Sequence, residues 1–183
     1  DLLFLFEKFI PDEAEDLIRE VVYPLWDMGI EVGHATRTLK ECVKLARQDI
    51  EVLTSILDAR FICGMSLLYS ALMEQLRKRI TLKRSNKIIK KLVENSRLRH
   101  EYFGDSSYLL EPHLKEGRGG LRDYHTMIWI ARLKSNLKQF RDLEYYGFLS
   151  HDEFQSLKKA LNFISNVRNC LHYLSGRKCD QLY

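Results

Sequence analysis

Glu111-Pro-His-Leu-Lys-Glu-Gly-Arg-Gly-Gly-Leu-Arg-Asp-Tyr-His125 is the stretch whose reading decides the fold. It reads as an extended lead-in, a turn with three glycines within four residues, and the start of an apolar helix over about residues 121–133. A helix N-terminus presents unpaired backbone N–H groups and about half a positive charge, and glycines let a backbone approach whatever binds there. Lys115, Arg118 and Arg122 add three cationic side chains, so a phosphate-bearing ligand would meet main-chain donors at Gly119 and Gly120 together with side-chain donors. A second reading stands beside this one: Gly117, Gly119 and Gly120 build a tight turn, while Glu116 and Asp123 pair with the cations as a structural network. The spacing does not separate the two, because a short glycine-rich turn is a weak motif. Leu121, Tyr124, Met127, Ile128, Trp129 and Leu133 leave the following helix apolar nearly all round, which predicts a central, buried element that holds its N-terminus rigidly.

Upstream of this stretch, the sequence predicts two helices. Ser66 is a candidate cap for a helix over residues 67–80, and a second helix is expected over 85–102 with Ile88, Ile89, Leu92, Val93 and Leu98 apolar. Arg77-Lys-Arg79, Lys83-Arg84 and Lys87 with Lys90-Lys91 make this a basic segment, read as a solvated helical face or a contact for an acidic partner or phosphates. Residues 106–115 lead back into the glycine turn. Downstream, residues 140–146 form a short helix stopped by Gly147. Ser150-His-Asp-Glu153 is a capping box that opens a long helix with Phe154, Leu157, Leu161, Ile164, Leu171 and Leu174 on its apolar side. The cap accounts for His151 and Asp152, so they are not read as a metal dyad.

The first third carries strand signals. Asp1-Leu-Leu-Phe-Leu-Phe6 is a short apolar run headed by a carboxylate, the pattern of a buried strand. Pro11 and the acids Asp12, Glu13, Glu15 and Asp16 open a helix whose apolar face is expected at Leu17, Val21, Leu25 and Met28, closed by Gly29. Pro24 predicts a kink or early break within it. Residues 30–38 alternate like a strand, which puts His34 and Arg37 on opposite faces. Thr38-Leu-Lys-Glu41 is a capping box for a helix to about Gln48, Asp49 caps the next, and residues 61–63 are expected strand-like or buried. Near Gly64 the strand signals stop.

With 183 residues, 45% of them hydrophobic and 11% aromatic, the chain can bury a substantial core in one or two domains. The net charge of +4 is too small to argue for a nucleic-acid binder, and no nucleic acid is expected as a partner. Cys42, Cys63, Cys170 and Cys179 are scattered singly, which reads as reduced thiols and argues against structural zinc. No apolar run approaches the roughly 20 residues of a membrane span, and no signal peptide opens the chain, so a cytoplasmic protein is expected.

Lys115-Glu-Gly-Arg-Gly-Gly-Leu-Arg-Asp123 resembles the Lys-x-Gly-x-Gly-Gly-Leu-Arg-Asp signature of bacterial PII uridylyltransferase/uridylyl-removing enzymes; glutamine-synthetase adenylyltransferases carry a related form. Leu25-Trp-Asp-Met-Gly-Ile-Glu-Val-Gly-His-Ala-Thr-Arg-Thr38 resembles a second family segment and favours the uridylyltransferase branch. The Arg168-to-Asp180 segment resembles a third, with Gln181 where arginine is common. The resemblance implies an α+β chain: the C-terminal part of a nucleotidyltransferase (polymerase-beta-like) sheet domain over residues 1–64, followed by a mainly α-helical bundle domain over 65–183.

It further implies UMP transfer from UTP to a tyrosine of the PII nitrogen-regulatory protein with Mg²⁺ or Mn²⁺. Asp1 would be the second metal carboxylate of an Asp-x-Asp pair, with Asp49 or Asp58 as candidates for a third and Glu31 a further one. Each of these carboxylates also reads as a cap or an ion-pair partner. His34 and Arg37 would lie near the nucleotide, His34 otherwise being a hydrogen-bonded core histidine. Arg60 would hold a triphosphate or neutralise Asp58. Lys115, Arg118, Gly119, Gly120 and Arg122 would contact phosphate or a neighbouring domain. Arg168, His172 and Arg177 would be polar groups at the end of the long helix, or partners of Asp180. A fragment lacking the first Asp would not catalyse alone. Two other classes share these features: a related adenylylating or CBS-domain-associated nucleotidyltransferase, and a non-catalytic helical interaction module.

Overall fold

The computed structural model describes residues 1–104, 109–135, 137 and 139–183; the opening of the lead-in, up to residue 108, lies outside the described residues. The chain divides into two compact units, Asp1–Lys83 and Arg84–Tyr183.

In the first unit, β1 (Leu2–Phe6) and β2 (His34–Thr38) pair in parallel, Leu2 opposite His34 and Phe6 opposite Thr38. A parallel pair needs a crossover, and α1 (Ala14–Asp27) supplies it. Its buried face is Ala14, Ile18 and Val22, packed on Phe4 and Phe6 of β1. The expected face is therefore corrected: Leu17, Val21 and Met28 are exposed. Two apolar stripes lie one residue, about 100°, apart on this helix, and periodicity alone does not say which one meets the sheet. Nor does the helix break early at Pro24. The proline sits in the last turn, where its missing N–H removes one bond to Glu20 and the chain continues to Asp27. The helix then closes as predicted on Gly29 (φ 77°), with Ile30 N donating to Leu25 O (3.0 Å) and Gly29 N to Trp26 O (2.8 Å).

Strand β2 is shorter than the alternation suggested, because residues 30–33 are irregular. Thr38 ends the strand and caps α2 (Leu39–Gln48) through the predicted capping box. Asp49 caps α3 (Ile50–Leu57), accepting from Glu51 N at 2.7 Å. Residues 61–63 are neither strand-like nor buried; Ile62 is 74% exposed. The three-residue apolar run begins four residues past the end of α3, with no partner strand beside it among the described residues. Ser66 is the first residue of α4 (Ser66–Leu76) rather than its cap, which is Met65 with no side-chain bond. The gap expected near residue 81 is bridged by a π-helical turn, Arg77–Thr81, leading into α5 (Leu82–Tyr102). Since α4 packs against α2 and β1, the first helix after the compositional change at Gly64 belongs by packing to the first unit.

The second unit holds most of α5, then α6 (Leu121–Ser135), the short α7 (Asp142–Tyr145) and α8 (His151–Ser175). As its composition required, α6 is central: none of residues 121–133 is exposed. Ile128 and Ala131 join Leu137, Leu143 and Phe154 in one core cluster. Gly147 (φ 69°) ends the α7 turn, and Ser150 caps α8 by its capping box. Of the apolar side predicted for α8, Leu174 lies outside the packed face at 81% exposed, close to the end of the helix. Among the described residues no helix is long and apolar enough to cross a membrane.

Candidate functional site

Two places gather the residues singled out above, one in each unit. In the first, the parallel pairing sets Asp1 beside the end of β2. Leu2 N donates to Gly33 O (2.8 Å), and a Cβ on Gly33 would come within 2.6 Å of Asp1 Oδ1. The carboxylate thus rests against a bare main chain that only glycine leaves open. His34 follows immediately, its ring edge-on to Phe4 (centroids 6.3 Å) and tilted against Trp26 (6.1 Å). His34 is exposed, so it is not a buried core histidine.

Asp1 lies against Gly33, the residue before His34, and His34 itself pairs with Leu2. Arg37 lies on the opposite face of β2, where its charge bears on Glu41 and Cys42 at the start of α2. The Thr38 backbone and hydroxyl hydrogen bonds hold the Glu41 carboxyl below its usual range, with Arg37 a lesser contributor, and burial pushes the Cys42 thiol up. Asp49 is occupied as a cap, Asp58 ends α3, and Arg60 is exposed just beyond it. Among the described residues no group of three or more His, Cys, Asp or Glu side chains is placed to hold a metal. Asp1 alone fits the looser requirement of Mg²⁺, which binds through one or two carboxylates together with substrate phosphates and water.

In the second unit the glycine turn closes on itself. Leu121 N donates to Leu114 O (3.0 Å), Arg122 N to Lys115 O (2.8 Å), Gly117 N to His113 O (2.9 Å) and Gly120 N to Gly117 O (2.9 Å). His113 Nδ1 accepts from Glu116 N (3.0 Å) and Lys115 N (3.3 Å), so its ring proton sits on Nε2. Gly119 N donates to Asp123 Oδ2 at 2.8 Å, the acid of the first helical turn reaching back over its own N-terminus. The expectation of unpaired main-chain donors at Gly119 and Gly120 is thereby corrected: both N–H groups are used within the turn.

The glycines serve different ends. A Cβ on Gly120 would meet the carbonyl oxygens of Leu114, Lys115 and Gly117, all at 2.8 Å, and one on Gly117 would meet His113 O at 2.7 Å. Gly119 has open space around it but sits at φ 76°.

Around this turn the charges are matched. Asp123 takes Arg99 and lies 2.8 Å from His100 Nε2, both from α5. Glu116 takes Arg122 (3.2 Å), Lys115 (3.6 Å) and Arg99 (3.8 Å). Burial pushes the Glu116 carboxyl up, but Arg122, Lys115 and Arg99 outweigh it and hold it below its ordinary value. The chain end is tied to the same turn. Leu114 N donates to Asp180 O (2.7 Å), while the Asp180 side chain takes Arg168 Nε (2.5 Å) and His172 Nε2 (3.1 Å). Burial raises the Asp180 carboxyl, and Arg168, His172 and the charge of Lys115 bring it below the usual range. Arg177 is exposed and does not join this cluster.

Arg99, His100 and His113 were not singled out from the sequence, although the adjacent Arg99 and His100 in the last turn of α5 were a signal that an acid elsewhere meets them. Gly33 was passed over within its motif, because a close approach of another chain segment leaves no mark in local spacing.

The second unit is thus a helical assembly organised on a self-closed glycine turn, tied by ion pairs to the helix before it and by main-chain hydrogen bonds to the chain end after it. A family description of GlnD PII-uridylyltransferase matches residues 87–183, and the chain belongs to that family. Among curated proteins it is similar to bifunctional uridylyltransferase/uridylyl-removing enzymes of Cereibacter sphaeroides (39% identical), Rhodospirillum rubrum (37%) and Rhodopseudomonas palustris (35%). Each alignment runs over 182 residues and covers 100% of this chain but only 19–20% of the relative. The chain therefore spans about a fifth of the length of the curated relatives it matches. No solved structure matches it.

Proposed function

We propose that the chain is part of a cytoplasmic enzyme that transfers UMP from UTP to a tyrosine of the PII protein, within a bifunctional uridylyltransferase/uridylyl-removing polypeptide. Residues 1–64 are read as the C-terminal part of a nucleotidyltransferase sheet domain and 65–183 as its helical companion. The observation that carries this reading is the Asp1 carboxylate at the head of β1, resting on Gly33 beside His34. A strand-end carboxylate with one open main-chain wall is a place where a phosphate-borne cation can be held.

Mg²⁺ or Mn²⁺ held through Asp1 would supply neutralisation of charge on the triphosphate as the pyrophosphate leaves. The side chains supply the rest. His34, exposed between Phe4 and Trp26, offers a ring nitrogen to the nucleotide. Arg60 and Arg37 add positive charge from α3's end and from the other face of β2. Within the helical unit taken by itself, Arg118 is exposed at the turn and is read as a phosphate contact. Lys115 and Arg122 would reach a phosphate only by loosening Glu116, and Gly119 and Gly120 only by giving up bonds inside the turn. Positioning of this kind is what transfer of a nucleotidyl group from a phosphoanhydride to a hydroxyl requires, since the acceptor oxygen must lie in line with the departing pyrophosphate oxygen.

The test is Asp1→Asn in the full-length parent enzyme, assayed for UMP incorporation into PII with UTP and, separately, with ATP. Transfer with UTP should fall by about 100-fold or more, with an unchanged urea midpoint. Undiminished transfer, or a preference for ATP in the unmodified enzyme, would overturn the reading.

A further inference from the structure

Between Glu74 and Glu94 the chain has eight basic residues and no acidic one. The last four, Arg84, Lys87, Lys90 and Lys91, belong to the second unit, lie on the first half of α5 and are all exposed. At about 100° per residue they fall within an arc of about 120°, along roughly 10 Å of helix. Leu92 is buried and Ile88 and Ile89 are half-buried on the other side, so the packing of α5 turns the whole cationic arc to solvent.

Nothing in the unit answers these charges. Among the described residues none of the four makes a hydrogen bond or an ion pair. Arg84 and Lys87, like Lys87 and Lys90, stand three residues apart, and Lys87 and Lys91 four apart, spacings at which side chains on a helix meet and like charges repel. The second half of the same helix is built the other way: Arg97 is held by Glu94 (2.8 Å), three residues before it, and by Glu101, four after it. A face kept only for solubility carries both signs interspersed, as that half does. The four charges also equal the chain's entire net charge of +4, so without them the chain would be neutral.

The surroundings of the arc narrow its partner. Residues 84–91 hold no aromatic side chain on which a base could stack, which argues against single-stranded nucleic acid. Ile88 and Ile89 are turned inward, so the stretch has no apolar side to enter a lipid surface. A convex helical face with three lysines, which are flexible point charges, offers no cradle for a small phosphate. A run of carboxylates on a polypeptide fits. Exposed ion pairs each strengthen binding by a factor of about one to five, so four of them give at best a roughly millimolar contact between separate molecules. A segment of the same polypeptide is presented at about millimolar effective concentration, and for it the same four pairs suffice. This chain covers only 20% of its Cereibacter sphaeroides relative, so an enzyme of that length has ample chain to supply such a segment.

We infer that Arg84, Lys87, Lys90 and Lys91 dock an acidic segment of the parent polypeptide that lies outside residues 1–183. The inference rests on the long parent enzyme of the proposed function, and it needs neither Asp1 nor turnover.

The experiment treats the full-length parent enzyme, as a mixture of isotope-labelled and unlabelled protein, with a water-soluble carbodiimide. The reagent joins a lysine amine to a touching carboxylate as an amide, and the links are mapped by mass spectrometry. Links from Lys87, Lys90 or Lys91 to Asp or Glu residues outside 1–183, within one polypeptide, are expected at about 50 mM salt and should fall about tenfold at about 1 M. Lys87→Glu with Lys91→Glu should lower the links of Lys90 about tenfold, whereas Lys87→Arg with Lys91→Arg should keep them. Absence of links, links confined to residues 1–183, or equal yields from the two double variants would overturn the inference. Links between labelled and unlabelled copies would overturn it in favour of an interface between molecules. Retention on an oligonucleotide matrix that only the double glutamate variant loses would overturn it in favour of nucleic acid. The Asp1→Asn enzyme should give the wild-type links, so failure here and failure of the transfer reading are seen separately.

Discussion

Asp1 and Asp123 are both carboxylates set against glycines, and their surroundings are opposite. Asp123 is surrounded by donors: Arg99, His100, Gly119 N and, at 3.4 Å, Ser96. Asp1 rests on the Cα of Gly33, and among the described residues no hydrogen bond or ion pair reaches its side chain. A carboxylate whose lone pairs are all taken holds structure together, whereas one left to water keeps its capacity for a ligand. The glycines divide the same way. Gly117 and Gly120 are glycine because the turn's own carbonyls crowd them; Gly33 is crowded by the Asp1 carboxylate instead.

The largest expected effect breaks the turn. Gly120→Ala puts a methyl among three carbonyl oxygens at 2.8 Å, none of which can move without losing a bond of the turn, and should cost about 4 kcal/mol or more in urea unfolding of the chain. Gly119→Ala, with open space but φ 76°, should cost only about 1 kcal/mol. Gly33→Ala meets the mobile end of one side chain and should leave the urea midpoint where it is while lowering transfer in the full-length enzyme. Equal losses of stability at Gly120 and Gly33 would erase the distinction between the two regions.

Next comes the saturated carboxylate itself. Asp123→Ala takes the close carboxylate from Arg99, leaving it Glu116 at 3.8 Å, and from His100, side chains 12% and 17% exposed, and should cost about 3 kcal/mol. Asp1→Asn should cost nothing measurable in the same assay. A neutral Asp123→Ala would mean that the turn, and not the ion pairs, joins α6 to α5.

A smaller comparison falls on α1, and it also marks where the sequence stops being informative. Leu17 and Ile18 are adjacent and similar, but Ile18 is 7% exposed and Leu17 63%. Ile18→Ala should cost about 2 kcal/mol and Leu17→Ala less than about 0.5, read from the urea midpoint. The capping boxes at Thr38 and Ser150, the closure at Gly29 and the central place of α6 were legible, because each rests on contacts within a few residues. Which stripe of α1 meets β1 was not, since that depends on a strand one crossover away. The same limit hid the partners of Asp123, which lie 23 and 24 residues upstream on α5. It also hid the filling of the turn's N–H groups by Asp123 and His113. The presence of Arg118, Lys115 and Arg122 together was plain from spacing, but the engagement of Lys115 and Arg122 with Glu116 was only one of two readings until the fold closed around it.

The smallest effect is the most diagnostic of how the saturated region is built. Glu116 and Asp180 both have folded-state carboxyls held below the ordinary range, against the pull of burial, by arginine, lysine and histidine neighbours. A carboxyl depressed by folding contributes stability that is complete above its unfolded value of about 4 and is lost as pH falls through that value towards the lower folded one. The chain should therefore keep a constant urea midpoint from neutral pH down to about pH 5 and weaken progressively below it. Asp180→Asn removes one of the two groups, so its midpoint should start lower at neutral pH and fall less steeply in acid. If the variant kept the wild-type slope, Arg168 and His172 would be contributing hydrogen-bond geometry without charge, and the ties between the chain end and residues 112–114 would rest on main-chain bonds, Leu114 N to Asp180 O and Leu182 N to Pro112 O.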